Sequence, residues 1–160
     1  MLTPILRFPA YLLMALGALL VAPNAFAQEV EGPVILTISG NVANPNRGAV
    51  DQFFVYSEAE FNEATQFDYA SLQKLEWLKA NADFPKDGDI QEFEGPLLAD
   101  VLKVAGAKGE MVTMTALDGY AIEVKMPDLI DQGAVLALKR NGRPFAVGDC
   151  GPTQIVFPRA

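Results

Sequence analysis

The sequence predicts a single α+β domain with a mixed β-sheet and a few short helices. Several short segments alternate apolar and polar side chains, as strands do, and Asp-Gly and Asn-Gly pairs separate some of them as hairpin turns. Apolar residues recur at helical spacing in only two or three places. The 160 residues suffice for one domain of this kind and leave little room for a second.

Residues 1–27 have the order of a secretory signal peptide. Arg7 precedes an apolar stretch from Ala10 to Ala22, and the small-residue site Ala25–Ala27 follows. A membrane-spanning helix needs about 20 residues, so a cleaved signal is favoured over an uncleaved anchor. We therefore expect residues 28–160 to be exported to a Gram-negative-type periplasm and not to span the membrane after cleavage.

The first half of this domain contains one clear strand and one candidate helix. The β-branched run Val34–Ile38 predicts a strand, followed by a turn-rich segment at 41–48. Residues 51–69 mix aromatic and acidic side chains without a period, so they suit a partner-facing surface or the core equally. Asp68 is a candidate N-cap for a helix to about Ala80, followed by a loop at 81–89. This helix is suggested by three leucines at three-residue spacing, Leu72, Leu75 and Leu78.

The second half predicts a helix, two hairpins and a last strand. Pro96, near the first helical turn, begins an apolar pattern that runs through Ala105 and ends at Gly106. Phe93 is expected to fill the core beneath this helix. Asp118-Gly119 and Asn141-Gly142 are the two hairpin turns. The predicted strands cover residues 111–117, 120–126, 135–138, 144–147 and 155–157.

Composition excludes several classes of enzyme and partner. The chain has no histidine and one cysteine, so Ser-His-Asp, Cys-His and zinc-hydrolase chemistry are excluded. The net charge of −8 is opposite to the charge that attracts phosphate backbones, so no nucleic-acid partner is expected. Cys150 has no intramolecular partner. We expect it to be a buried small side chain, with a reactive thiol or an intermolecular link as alternatives.

Five short segments anchored by Gly or Pro carry a family resemblance. They are Phe93–Leu102 (FEGPLLADVL), Ala116–Tyr120 (ALDGY), Ile122–Asp128 (IEVKMPD), Val135–Ala137 with Asn141–Pro144 (NGRP), and Gly151-Pro152 before Ile155–Pro158. In this order the series resembles the oxidoreductase molybdopterin-binding domain, the sulfite-oxidase fold, in its short exported bacterial form. The resemblance implies an α+β domain with a deep cleft shaped for a pterin.

Two departures from the family pattern bear on chemistry. In catalytic members a cysteine upstream of the Asp-Gly-Tyr hairpin ligates molybdenum, whereas Cys150 lies near the end of this chain. Gln154 stands where the closing motif of the family has an arginine, and a neutral amide cannot replace a guanidinium at a phosphate. These departures and the acidic charge argue against a molybdenum cofactor and favour a neutral, phosphate-free, non-metallated pterin.

A subset of this short family resembles periplasmic pterin-binding regulators. These act with the periplasmic domain of an inner-membrane enzyme that makes or degrades cyclic-di-GMP. The resemblance therefore implies binding and signalling without turnover. Two alternatives stay open: a molybdopterin-dependent oxidoreductase whose metal is held by Cys150 or by no protein thiolate, and an empty relic of the fold that serves as a protein adaptor.

Three candidate ligand contacts lie at turns. Asp118 and Tyr120 belong to the Asp-Gly-Tyr turn, where a carboxylate and a ring can face the cleft; otherwise they simply form the hairpin. Asp149 precedes Cys150 in the closing loop. Its carboxylate is a candidate partner for the amino edge of a pterin; otherwise Asp149 only begins a turn.

The remaining candidates are aromatic or polar. Phe84 lies in the loop where short relatives carry a tryptophan, which makes it the best stacking candidate. Trp77, on the expected helix, is a second aromatic candidate or a partly buried core residue. Arg143 follows a hairpin turn and is either solvated or in contact with a cofactor oxygen or an acidic partner. Gln154 is a candidate donor to a pterin carbonyl.

Overall fold

The computed structural model describes residues 29–50, 60–84 and 86–159. The predicted signal peptide, residues 1–27, lies outside these ranges, as do residues 51–59 of the aromatic and acidic segment. No helix in the described part of the chain has the length and apolarity to cross a bilayer. The elements are β1 (Val34–Ser39), β2 (Ala64–Asp68), α1 (Tyr69–Gln73), β3 (Trp77–Asp83), β4 (Ile90–Pro96), α2 (Leu98–Ala105), β5 (Met111–Thr115), β6 (Ala121–Lys125), α3 (Met126–Asp131), β7 (Val135–Ala137), β8 (Lys139–Arg140), β9 (Arg143–Pro144) and β10 (Gln154–Val156).

The strands form small antiparallel sheets with short helices against them. The order β3-β4-β8-β9 makes the four-stranded sheet, and β1-β2, β5-β6 and β10-β7 are two-stranded. This strand-dominated single domain confirms the α+β prediction in outline. The expected mixed sheet is wrong for the described residues, because every strand pair among them is antiparallel.

The segment 135–140 organises the part of the fold that holds the site. Strand β4 runs along one edge of it, where the Leu138 N–H donates to the Glu94 carbonyl at 2.8 Å. Along the other edge, β9 pairs with β8 and β10 pairs with β7. Residues 143–156 therefore run antiparallel to one continuous segment, and residues 146–153 leave the sheet as a loop between the two pairings.

The contact between β4 and β7 requires glycine. A Cβ on Gly95 would lie 2.0 Å from the Leu136 carbonyl oxygen, which is far closer than a real side-chain carbon approaches backbone. The absence of a side chain thus lets the two strands approach. The Leu98 N–H then donates to the Ala134 carbonyl at 2.8 Å, which fixes the start of α2 against the same segment.

Helix α2 packs its apolar face into the core as its sequence pattern predicts. Leu98, Val101, Leu102 and Ala105 are buried, and Gly106 ends the helix with a φ of 63°. Phe93 is also fully buried, as expected, although it belongs to strand β4 and packs in a separate cluster with Ala80, Ala82, Val135, Ala137 and Val156.

The helix expected from Asp68 to about Ala80 is wrong beyond its first turns. Helix α1 ends at Gln73, and Trp77–Asp83 is strand β3. Burial alternates along this strand, where Ala80 and Ala82 are buried and Lys79 is exposed. Pairing of all seven residues with β4 decides this conformation. The expected loop at 81–89 accordingly begins only after Asp83.

Both hairpin turns form where the sequence predicts them. In the β5-β6 hairpin, the Ala116 N–H donates to the Tyr120 carbonyl at 2.8 Å, and Gly119 has a φ of 86°. The Asn141-Gly142 turn joins β8 to β9. The strand expected at 135–138 has a different partner, because Val135–Ala137 pairs with β10.

Asp68 joins the start of α1 to the beginning of the domain. Its Oδ1 accepts from the Ser71 N–H at 2.7 Å, and its Oδ2 accepts from the N–H groups of Glu31 and Gly32 at 3.0 and 2.8 Å. The Ser71 hydroxyl accepts from the Asp68 N–H in return. These donors, the Ser71 N–H first among them, hold the pKa of the buried Asp68 carboxyl well below its usual range.

We expect Asp68→Ala to lower the free energy of unfolding by about 1–3 kcal/mol, because it leaves the buried Ser71 N–H and the part-buried N–H groups of Glu31 and Gly32 without their acceptor. The low pKa in the folded state means that Asp68 contributes fully above its unfolded pKa of about 4 and loses its contribution as the pH falls below that value. Urea unfolding between about pH 7 and pH 2 measures both effects. The exposed Asp89→Ala variant is the control; an equal acid-induced loss in wild type and Asp68→Ala would contradict the prediction.

Candidate functional site

The Asn141-Gly142 turn brings two arginines to one end of the four-stranded sheet. Both turn residues have positive φ, 51° and 75°, which is the geometry of a two-residue hairpin turn that matches the twist of its strands. Arg140 and Arg143 are therefore directly opposite each other across β8 and β9. Residues opposite each other have Cβ atoms about 5 Å apart, so two guanidinium groups enter one small region.

A cavity of about 430 Å³ lies beside this pair. Its lining combines guanidinium groups, amides, an aromatic ring and a carboxylate, and the residues are Gln91, Arg140, Asn141, Arg143, Pro144, Phe145 and Asp149. They come from β4, from the β8-β9 hairpin and from the loop at 146–153, which the sheet order brings together.

Arg140 lies at the centre of this arrangement. Its guanidinium is 5.5 Å from the ring centroids of both Phe84 and Phe145. Its Nη2 also donates to Asp149 Oδ1 at 2.6 Å. The Arg140 side chain is only 18% exposed, against 62% for Asp149, so solvent screens this ion pair less than a fully exposed one.

Two amide side chains fix the rim of the cavity. Gln91 Nε2 donates to the Phe84 carbonyl at 2.7 Å, and Asn141 Nδ2 donates to Gln91 Oε1 at 3.3 Å. Asn141 Oδ1 in turn accepts from the Glu92 N–H at 3.1 Å. Both amide oxygens therefore already accept a hydrogen bond from protein.

The loop at 146–153 is closed on itself. The Ala146 carbonyl accepts from the N–H groups of Asp149 and Gly151 at 2.9 and 3.0 Å. A Cβ on Gly151 would lie 2.5 Å from that carbonyl oxygen, so the loop closes this tightly only with glycine there. Cys150, between these two residues, has a φ of 58° and is exposed. The expectation that Cys150 is a buried small side chain is therefore wrong.

Of the candidates from the sequence, three gather at this end of the sheet. Asp149 and Arg143 line the cavity, and the Phe84 ring contacts the Arg140 guanidinium outside the lining.

The Asp-Gly-Tyr candidates lie elsewhere, at the tip of the β5-β6 hairpin. Asp118 and Tyr120 are exposed and are not among the residues that line the cavity. Asp118 Oδ1 accepts from the Tyr120 N–H at 3.0 Å, which is the usual way an aspartate stabilises a turn.

Trp77 and Gln154 are also outside the lining. Trp77 belongs to β3 and not to a helix; its Nε1 donates to the Leu72 carbonyl at 2.8 Å, and its ring meets Tyr69 edge-on at 5.7 Å. Gln154 begins β10 opposite Ala137. Its buried Oε1 accepts no hydrogen bond from the described residues, and its role as a donor to a pterin carbonyl stays a prediction.

The sequence analysis missed five residues that line the cavity: Arg140, Phe145, Gln91, Asn141 and Pro144. One signal was available for the arginine. Residues that immediately flank a two-residue turn are opposite each other in the hairpin, so the presence of Arg143 after Asn141-Gly142 also points to Arg140. No comparable local signal links Gln91 to this hairpin, because 50 residues separate it from Asn141.

The lining fits the organic part of the pterin-type group that the sequence resemblance implies. Asp149 offers a carboxylate to a 2-amino edge, Phe145 offers a ring, and Arg140 and Arg143 offer donors to oxo or anionic oxygens. For a metal, the described residues contain no cluster of three or more potential Cys, Asp or Glu ligands. The exposed thiol of Cys150 is next to Asp149 in the chain.

We expect Arg140→Met to loosen the loop at 146–153, because methionine keeps an apolar stem between the two rings but cannot pair with Asp149. Hydrogen exchange at the Asp149 and Gly151 amides should become at least about fivefold faster. Arg143→Met is the matched control, since it removes the same charge from the opposite strand, and its exchange should stay within about twofold of wild type. Equal acceleration in the two variants would show that Arg140 does not hold the loop.

The chain also matches a known family. The sequence model of the family described as oxidoreductase molybdopterin-binding domain matches residues 34–160. This range runs from the first residue of β1 past the end of β10. No curated protein matches the chain. Proteins of this family bind a molybdopterin-type cofactor. Because the match covers most of the sequence and every described strand and helix, the chain belongs to the oxidoreductase molybdopterin-binding domain family.

Proposed function

We propose that this protein is a periplasmic pterin-binding protein of the sulfite-oxidase type. It binds a non-metallated pterin in the cavity beside Arg140 and relays occupancy to a membrane protein of cyclic-di-GMP signalling. Family membership supports a pterin-type ligand. The observation that carries the proposal is the cavity itself, which joins a ring, a carboxylate and two guanidinium groups in about 430 Å³.

The chemistry of the cavity is complementary to a flat, polar heterocycle. A pterin has two faces for aromatic contact and an edge with an amino group and a ring N–H. Phe145 is half-buried and lies against the Phe93 ring at 6.3 Å between centroids, so its orientation is fixed before ligand binds. The Asp149 carboxylate has one oxygen on Arg140 and keeps acceptor capacity on the other.

The regulatory part of the proposal rests on sequence. Residues 1–27 have the order of a signal peptide for export to the periplasm. The resemblance to periplasmic pterin-binding regulators suggests the periplasmic domain of an inner-membrane enzyme of cyclic-di-GMP turnover as the partner. Cys150 is displaced from the position of the metal-ligating cysteine of catalytic members, which supports binding without turnover.

We expect Asp149→Asn to weaken the binding of hydroxymethylpterin about tenfold, because a charged acceptor facing the amino edge is lost. Titration calorimetry on the exported protein measures the affinity. Asp118→Asn is the matched control: it also removes one carboxylate from a turn, but at the tip of the β5-β6 hairpin. Loss of affinity in Asp118→Asn with none in Asp149→Asn would move the site to that hairpin and overturn the assignment to the cavity.

A second candidate function is that of a molybdopterin-dependent oxidoreductase. Family membership supports it, and so does the exposed thiol of Cys150, which follows a cavity-lining residue directly. In this case Cys150 would hold the metal while Arg140 and Arg143 bind the organic part. The molybdenum of such a cofactor supplies oxidation and reduction of substrate.

The two functions differ in the role of Cys150. For a metal-free pterin, we expect Cys150→Ser to bind within about twofold of wild type, because Cys150 does not line the cavity. Protein purified from its native periplasm should then release a pterin, identified by mass spectrometry, without stoichiometric molybdenum by elemental analysis. Stoichiometric molybdenum that is lost in Cys150→Ser would replace the first function with the second.

A further inference from the structure

We propose that Arg143 selects a ligand with an anionic substituent, so that the pterin bound here carries a carboxylate or a phosphate. This inference rests on the proposed function and makes it more specific. It departs from the uncharged, phosphate-free pterin expected from the sequence, an expectation that rested on neutral Gln154 at the position of the family's arginine and on the acidic net charge.

The first step is a charge imbalance. Arg140 and Arg143 are opposite each other in the β8-β9 hairpin, and like charges at such positions repel. Among the residues that the structure describes, Asp149 is the only carboxylate that lines the cavity. The lining therefore carries two positive charges and one negative charge within a protein whose net charge is −8.

The second step is that Arg140 is already occupied. Its guanidinium is paired with Asp149 at 2.6 Å and lies against the rings of Phe84 and Phe145. Moving it toward a ligand would break these contacts together. Arg140 is thus a positioning residue for the Asp149 loop, and Asp149 offsets its charge.

The third step is that Arg143 is available. It is exposed, lines the cavity and has no carboxylate within ion-pair distance among the described residues. The neighbouring amides of Gln91 and Asn141 are held by each other and by backbone groups. A guanidinium presents a planar fork that binds a carboxylate or phosphate through two hydrogen bonds. A ligand anion on Arg143 would also relieve the repulsion from Arg140.

These steps predict that a pterin binds in the cavity in one orientation. Asp149 offers negative charge to the amino edge of a pterin, and Arg143 offers positive charge to a substituent. Arg140 pairs with Asp149 and is opposite Arg143 in the β8-β9 hairpin, so both charged groups neighbour the same guanidinium. An acidic protein repels anions at long range. The positive charge of Arg143 would have to compensate for that repulsion.

Titration calorimetry with three probes tests the inference: hydroxymethylpterin, which is neutral, pterin carboxylate, and the phosphate ester of hydroxymethylpterin. Wild-type protein should bind at least one anionic probe about 10–100-fold more tightly than the neutral probe. Arg143→Gln should remove this preference by weakening the binding of the anionic probes more than that of the neutral probe, and Arg143→Lys should retain part of the preference. The stronger of the two anionic probes identifies the substituent.

The control is Lys108→Gln, which removes the same charge from an exposed residue outside the lining. The preference should persist in this variant. Its equal loss in Lys108→Gln and Arg143→Gln would show a general effect of net charge and overturn the role of Arg143. Equal wild-type affinity for all three probes would overturn the inference and leave pterin binding intact, whereas failure to bind any probe would overturn the proposed function as well.

Discussion

The contact on which the candidate site depends is that of the Arg140 guanidinium with two phenylalanine rings and one carboxylate. Phe84 directly follows β3, Phe145 directly follows β9, and Asp149 belongs to the loop at 146–153. A single cation thus ties three separate segments together. An apolar side chain at position 140 could fill space between the rings but could not pair with Asp149. The same contact explains why an arginine is only 18% exposed at the edge of a small domain.

Strand order provides the setting for this contact. Because β9 and β10 both pair with the segment at 135–140, residues 146–153 must leave the sheet and return to the same edge. The Gly95 approach to the Leu136 carbonyl holds β4 against this segment on the opposite edge. The segment at 135–140 therefore packs against Gly95 at Leu136 and pairs with Asp149 at Arg140, and the position of the loop depends on both contacts.

The sequence predicted local features of the fold well and long-range features poorly. The Gly106-terminated helix and both Gly-containing turns were correct, because a positive φ and an apolar face leave a local signature. The helix expected through Ala80 failed because pairing with β4 outweighed a leucine spacing that suits a helix. Within the site, the sequence identified Asp149 and Arg143 as single residues, but no local signal showed that Asp149 pairs with Arg140. That partner is set by the fold.

Comparison with a family motif assigns a role to a position in the sequence. A binding site, in contrast, depends on which side chains the fold brings together. Gln154 is neutral where the family pattern has an arginine. The sequence comparison therefore indicates the loss of an anion-binding group. In space, Arg143 provides a guanidinium at the cavity from a different strand, and Gln154 does not line that cavity. The departure at Gln154 therefore does not decide the charge of the ligand. What decides it is how many cations face the cavity and how many of them the protein's own carboxylates already pair.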